Sequence, residues 1–246
     1  MTRIDYLEAR EGVHLAYQHR AGRGPMVLFL PGYASDMTGA KASALDAWAE
    51  QTGRAMLRFD YGGCGMSGGA FEAQTLRLWL DDVLAMIDRV AQGPVVLVGS
   101  SMGGWLMLLA ALERPDRVAA LVGVAAAPDF TVWGFTDEEK MAILREGRLE
   151  RPGSTGEAPA VTTRGFWESG ESLRLLHAPI AIDCPVRLIH GQMDKEVDWT
   201  WSLQLPTLLR SADVQVTFVK DGDHRLSRER DLALLLATVS TLTENL

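Results

Sequence analysis

Three residues stand where chemistry is possible: Ser101, Asp194 and His224. Ser101 lies in Val95-Val96-Leu97-Val98-Gly99-Ser100-Ser101-Met102-Gly103-Gly104, a G-x-S-x-G pattern with an apolar, strand-like run directly before it and a helical run directly after. A serine on so tight a turn sits in strained backbone, and only residues with almost no side chain at Gly99 and Gly103 let the chain pass that closely. The turn also sets the Met102 N–H beside the hydroxyl, at the positive end of the helix. Ser100 is out of register with the glycines and points away. The chemistry would be attack of a hydroxyl on an acyl carbonyl, which needs a base to take the proton and an acid to hold the base. His224, in Lys220-Asp221-Gly222-Asp223-His224-Arg225, follows the last strand-like run and is assigned as the base. His14 and His19 belong to an early, half-polar strand, His177 falls late in the chain's longest irregular stretch, and His190 closes a strand before Gly191. Of the candidate acids Asp129, Asp194, Asp198 and Asp223, Asp194 follows a strand and completes the order Ser, Asp, His expected of a strand–turn–helix nucleophile. Asp198 reads as the opener of the next helix, and Asp60 as structural. The oxyanion needs a second donor, and the Leu30-Pro31-Gly32-Tyr33 turn offers the Tyr33 N–H.

The bare pattern occurs a second time, at Gly65-Met66-Ser67-Gly68-Gly69. That copy lies in a glycine-rich loop several residues beyond its strand, where nothing fixes the hydroxyl, so Ser101 is preferred. There is no metal-ligand spacing, no phosphate-binding loop and no dinucleotide fingerprint, so cofactor-free chemistry is expected, with no metal.

Residues so far apart need a scaffold to bring them together. Apolar runs at 26–30, 55–59, 95–98, 118–124, 186–189 and 214–219 read as strands, and most lack polar alternation, as strands covered on both faces do. Helical periodicity marks 38–51, 74–91, 102–113, 199–209 and 229–242. Alternating strands and helices imply an α/β fold with a mostly parallel sheet, whose ligands sit beyond the carboxyl ends of the strands. The uncharged run 94–112 reads as strand, turn and helix rather than as a membrane span. One stretch breaks the alternation, and 129–178 is expected to be a cap inserted into a core made of 1–128 and 179–246. Within it we expect a helix at 137–148, a turn-rich passage at 151–158 and a short helix at 171–177. Its aromatic residues Trp133, Phe135, Phe166 and Trp167 either line an apolar substrate pocket or hold the cap to the body.

The chain has 246 residues, 47% of them hydrophobic and 23% charged, as befits a folded globular protein rather than a disordered one. Its formal charge of −8 offers no overall electrostatic footprint for nucleic acid or an anionic membrane surface. Two cysteines, Cys64 and Cys184, are too few for a disulfide framework. With an N-terminus that shows neither a secretory core nor an acid-poor transit segment, they lead us to expect a cytoplasmic protein.

These features together resemble the alpha/beta-hydrolase superfamily over essentially the whole chain. Within it the chain looks like the mitochondrial palmitoyl-protein thioesterase and mycophenolic acid acyl-glucuronide esterase group. The phrases that carry the likeness are Pro31-Gly32-Tyr33, Arg58-Phe59-Asp60-Tyr61, the nucleophile run with its Gly103-Gly104-Trp105 extension, Leu176-His177-Ala178-Pro179-Ile180, Cys184-Pro185-Val186-Arg187-Leu188-Ile189-His190-Gly191 and Asp223-His224-Arg225. The resemblance implies hydrolysis of thioesters on acylated cysteines and of some carboxylic esters, with a small molecule or an acylated protein as substrate. The start of the chain lacks a mitochondrial targeting pattern, so a bacterial-type or mature-length relative is expected. The cap diverges more than the core, so reaction class transfers better than substrate identity. The same three residues would equally serve a C–C bond hydrolase or a lactonase, and a ligand receptor of this fold would hold them unused. A haloalkane dehalogenase or epoxide hydrolase places a carboxylate where this chain has Ser101.

Overall fold

The computed structural model describes residues 3–152 and 160–246. In chain order the core begins with β1 (Asp5–Arg10), β2 (Val13–Arg20), β3 (Arg23–Leu30), α1 (Ala40–Thr52), β4 (Arg54–Phe59), α2 (Leu76–Arg89), β5 (Val95–Ser100), α3 (Met102–Glu113) and β6 (Val118–Val124). Then come α4 (Phe130–Trp133), α5 (Asp137–Glu146), β7 (Arg148–Arg151), β8 (Ala160–Thr163) and α6 (Arg164–Ser172). The core resumes with β9 (Val186–Gly191), α7 (Trp201–Leu208), β10 (Val214–Val219) and α8 (Glu229–Glu244). Eight strands form one sheet in the order β1-β2-β4-β3-β5-β6-β9-β10. Only β1 and β2 run antiparallel to their neighbours; from β4 to β10 every pairing is parallel.

The uninterrupted apolar strands are explained by burial on both faces. Along β3, Met26, Leu28 and Leu30 point into a core shared with α2 and α3, while Val27 and Phe29 point into a second core shared with α1 and α8. β5 divides in the same way, Val95 and Leu97 against Val96 and Val98. The run 94–112 is accordingly β5 and α3, and no helix among the described residues is long and apolar enough to cross a membrane.

The stretch between β6 and β9 departs from expectation in detail. The short helix expected at 171–177 is not there. Its place is taken by α6, which starts earlier because the Thr163 hydroxyl accepts the Phe166 N–H and caps it. Beyond Ser172 the Leu175 and Leu176 N–H groups donate to the Asp129 carboxylate, at 2.9 and 2.8 Å, instead of continuing a helix. The antiparallel pair β7–β8 had no sequence expectation, and 153–158 of the expected turn-rich passage lie outside the described residues. Helix α5 opens on a capping box: the Thr136 hydroxyl accepts the Glu139 N–H and the Glu139 carboxylate accepts the Thr136 N–H.

Candidate active site

The carboxyl ends of β5, β9 and β10 meet at one rim of the sheet. At the end of β5 the chain turns sharply into α3, and the turning residue is Ser101, with φ 54° and ψ −119°. This is sparsely populated backbone for a residue with a side chain, and the surroundings hold it there. The Ser101 N–H donates to the Val124 carbonyl at the end of β6 at 2.9 Å, and its carbonyl accepts the N–H of Ala127, just beyond that strand, at 3.0 Å. The flanking glycines are sterically required. A methyl group on Gly99 would run into the Gly103 carbonyl, and one on Gly103 into the Leu30 carbonyl.

His224, in the loop after β10, places Nε2 3.1 Å from the Ser101 hydroxyl and Nδ1 2.8 Å from Asp194 Oδ2. Asp194, in the loop after β9, has a fully buried side chain and is saturated with donors. Its Oδ1 accepts the N–H groups of Glu196 and Val197 at 2.8 and 2.9 Å, and its Oδ2 also accepts His190 Nε2 at 3.0 Å. Burial by itself would raise the Asp194 pKa. The hydrogen bonds from His190, His224 and Val197 outweigh it and hold the carboxyl well below the ordinary carboxylate range. The acid is therefore ionised throughout the neutral range.

The other candidate acids are engaged elsewhere. Asp129 ties down the segment after α6, Asp198 accepts the Thr200 N–H ahead of α7, and Asp223 accepts the Leu226 N–H. Asp60 is buried and accepts the N–H groups of Met37 and Met66.

The turn after β3 passes over the nucleophile, since a methyl group on Gly32 would sit 3.5 Å from Ser101 Cβ. Among the described residues, neither the Tyr33 nor the Met102 N–H donates to a backbone carbonyl. The Tyr33 ring is wedged edge-on among Phe71, Trp79, Phe130 and Phe166, with centroids 4.8 to 6.1 Å away, and its hydroxyl donates to the Val161 carbonyl of β8 at 2.5 Å. Burial raises its pKa far enough to keep the phenol protonated.

Phe166 is buried in that aromatic cluster, and Phe135 packs on Phe130 with the Arg151 guanidinium 4.6 Å above its ring. Trp133 stacks on Trp201 of α7, and Trp167 donates its indole N–H to the Thr131 carbonyl. None of the four lines the cavity of about 260 Å³ that opens beside the turn after β3. That cavity is walled by Ala34, Ser35, Cys64 and Phe71 from the body and by Ala160 and Val161 of β8. Nothing in the sequence pointed to these residues, because they come from four separate segments. Burial pushes the Cys64 thiol up to about 12, so it stays a neutral wall group at neutral pH. Sequence reasoning also missed the engagement of His190 and its partner Ser202; the only available signal was a histidine near the end of a largely apolar strand.

Residues 23–141 match the family profile described as Hydrolase_4, serine aminopeptidase S33. The whole chain aligns at 41% identity with 81% of the human mitochondrial palmitoyl-protein thioesterase ABHD10. The structure of mouse alpha/beta hydrolase domain-containing protein 10 superposes with a TM-score of 0.92 at 39% identity, covering 99% of each chain. A putative hydrolase of Agrobacterium vitis S4 superposes at 0.91 and 34% identity, over 99% of this chain and 98% of that one. The human, orangutan and mouse relatives are mitochondrial proteins, which overturns the cytoplasmic expectation and points to the mitochondrion instead. A short cysteine-poor chain speaks of a reducing compartment, and such compartments are not confined to the cytosol.

Proposed function

The chain belongs to the Hydrolase_4 family of alpha/beta-hydrolases, a serine hydrolase of the esterase and thioesterase kind, and from that premise we propose that Ser101, His224 and Asp194 carry its reaction as a catalytic triad. Ser101 Oγ attacks the acyl carbonyl while His224 Nε2 takes its proton. The same imidazolium then protonates the departing thiolate or alkoxide, leaving an acyl-enzyme. Water, deprotonated by His224, attacks the acyl-enzyme, and the proton returns to Ser101 as the carboxylic acid leaves. Asp194 holds the imidazole with its proton on Nδ1 and stabilises the imidazolium that forms. The N–H groups of Tyr33 and Met102 receive the negative charge of the tetrahedral intermediate, where the loss of one donor costs about 3–4 kcal/mol of barrier.

The observation that carries this reading is the unbroken chain from Ser101 Oγ through both nitrogens of His224 to a buried, fully solvated-by-protein carboxylate. The likeness to proteins named palmitoyl-protein thioesterase supports a fatty-acyl thioester on a protein cysteine as substrate, with small oxyesters as surrogates. The stretch 129–178 acts as a cap over a core of 1–128 and 179–246. Its four aromatic residues secure the cap, and the cavity walled by Phe71, Cys64 and Val161 takes part of the acyl chain.

The test compares p-nitrophenyl esters of increasing chain length, an S-acylated peptide and a lactone, in wild type and Ser101→Ala. Thioester and ester turnover that vanishes in Ser101→Ala is the expected result. Lactone turnover far above both would move the chain to another reaction, and full turnover by Ser101→Ala would end the assignment.

A further inference from the structure

The reaction as written uses one histidine, yet Asp194 is bonded to two. His190, the last but one residue of β9, is fully buried and brings Nε2 to the same oxygen, Asp194 Oδ2, that receives His224 Nδ1. Its tautomer follows from its partners. Nε2 faces two acceptors, Asp194 Oδ2 at 3.0 Å and the Val197 carbonyl at 3.2 Å, so Nε2 carries a proton. Nδ1 lies 2.7 Å from the hydroxyl of Ser202, a buried residue of α7. Among the described residues that hydroxyl has no other partner, so it donates to Nδ1. A buried polar pair of this kind is costly unless every group is satisfied, and here each group is.

We propose that His190, locked in this tautomer by Ser202, is a positioning residue: it aims the Asp194 carboxylate at His224 and draws part of its charge away from the imidazole. The proposal rests on the triad reading above. Two backbone N–H groups orient Oδ1, and without His190 the only side-chain donor to Oδ2 among the described residues is His224 itself, the group that must be oriented. A second, proton-bearing ring fixes Oδ2 independently of the reacting histidine. It also shares the negative charge that Asp194 presents to His224 Nδ1.

Lys195 adjoins Asp194 in the chain. Asp198 stands further along the same loop, Glu196 has a carboxylate oxygen 3.7 Å from His224 Nε2, and Asp223 and Arg225 flank His224. Lys41 of α1 donates to the Arg225 carbonyl at 2.5 Å. None of them donates to Asp194 Oδ2, so removing the His190 N–H is not made good by a neighbour.

The experiment measures kcat, KM and the pH profile of kcat/KM on p-nitrophenyl butyrate for wild type, His190→Leu, His190→Gln and Ser202→Ala, alongside thermal midpoints. His190→Leu should lower kcat by about tenfold or more with KM nearly unchanged. It should also move the acid limb of kcat/KM upward by roughly half a pH unit, because a carboxylate relieved of a donor holds the imidazolium more tightly. His190→Gln, whose amide N–H reaches the Nε2 position, should recover most of kcat. Ser202→Ala should show the same changes at smaller size, and carries the test if His190→Leu does not fold. A merely structural role predicts lower thermal midpoints with an unmoved acid limb and no advantage of Gln over Leu, and that result overturns the proposal. If Ser101→Ala remains inactive while these variants behave as wild type, only this proposal fails; if Ser101→Ala is active, the triad reading itself has failed.

Discussion

The molecule contains two G-x-S-x-G turns, and the same five-residue pattern has opposite uses in them. At Ser101 the turn joins β5 directly to α3, the backbone is forced to φ 54°, and the hydroxyl faces a histidine ring. At Ser67 the pattern lies in the loop between β4 and α2, and the hydroxyl is consumed on both sides by backbone: it accepts the Ala16 N–H at 2.8 Å and donates to the Asp60 carbonyl at 2.6 Å. One hydroxyl is presented to the rim of the sheet, the other staples the loop that follows β4 onto β2. What separates them is the element boundary. A strand that runs up to the residue before the serine leaves no slack for local backbone to capture it, whereas a loop supplies N–H and C=O groups at every step.

The comparison breaks most severely at the nucleophile. Ser101→Ala should lower kcat by about 10⁴-fold or more, with the thermal midpoint within a few degrees of wild type. A fluorophosphonate probe should label the wild type and not the variant, and should leave Ser67 untouched. Labelling at Ser67 would mean that the loop serine is accessible and activated after all.

Next in size is Asp194→Asn, for which a loss of about 10³ to 10⁴ in kcat is expected because the amide presents the wrong partner to His224 Nδ1. This variant also carries a pH signature in stability. The folded-state pKa of Asp194 lies below its unfolded value of about 3.9, so its contribution is fully present above that pH and is lost as pH falls through the folded value. Urea midpoints of wild type and Asp194→Asn should therefore differ at neutral pH and begin to converge only as pH falls below about 4. A gap that stays constant across that window would show that the carboxylate charge is not what stabilises the loop.

How far the sequence discloses such differences depends on what kind of pattern records them. β6 and β10 were legible to the residue, and α3 likewise, because each is a continuous run of one periodicity bounded by turn residues. β1 (DYLEAR) and β7 (RLER) were not, since a strand at a sheet edge or in a two-stranded ribbon needs no apolar run. At the site, Ser101, Asp194 and His224 could be chosen because each follows a strand, and the structure brings them within hydrogen-bonding distance. The His190–Ser202 bond could not be foreseen: it joins two elements through polar side chains that have no periodicity to betray them. The four aromatic residues of the 129–178 stretch were conspicuous as residues, but their contacts with Tyr33, Phe130 and Trp201 depend on how that stretch packs, which composition does not encode.

A smaller effect is expected where the turn after β3, proposed to bear an oxyanion donor, meets that stretch. Tyr33→Phe keeps the ring among its aromatic neighbours and removes only the hydroxyl bond to the Val161 carbonyl. A bond of that kind contributes about 0.5–1.5 kcal/mol, so kcat should fall by no more than about tenfold while KM changes little, because the loosened group is the turn bearing a transition-state donor. A rise in KM at constant kcat would instead assign the hydroxyl to substrate binding.

The smallest effect on turnover, and the sharpest test of the comparison, is Ser67→Ala. The Ala16 N–H that Ser67 satisfies belongs to a residue with no exposed surface, so the substitution leaves a buried donor without a partner, at a cost of about 1–3 kcal/mol. For a chain of this size each kcal/mol lowers the thermal midpoint by about 2–4 °C. Turnover should stay within about twofold of wild type, since the loop bearing Ser67 remains pinned by the Gly63 and Gly68 N–H groups, which donate to the Gly68 and His14 carbonyls, and by the Met66 N–H to Asp60. The two serines thus predict mirror-image phenotypes: Ser101→Ala loses activity and keeps stability, while Ser67→Ala loses stability and keeps activity. A Ser67→Ala protein of normal stability and impaired kcat would reverse the roles drawn from their hydrogen bonds.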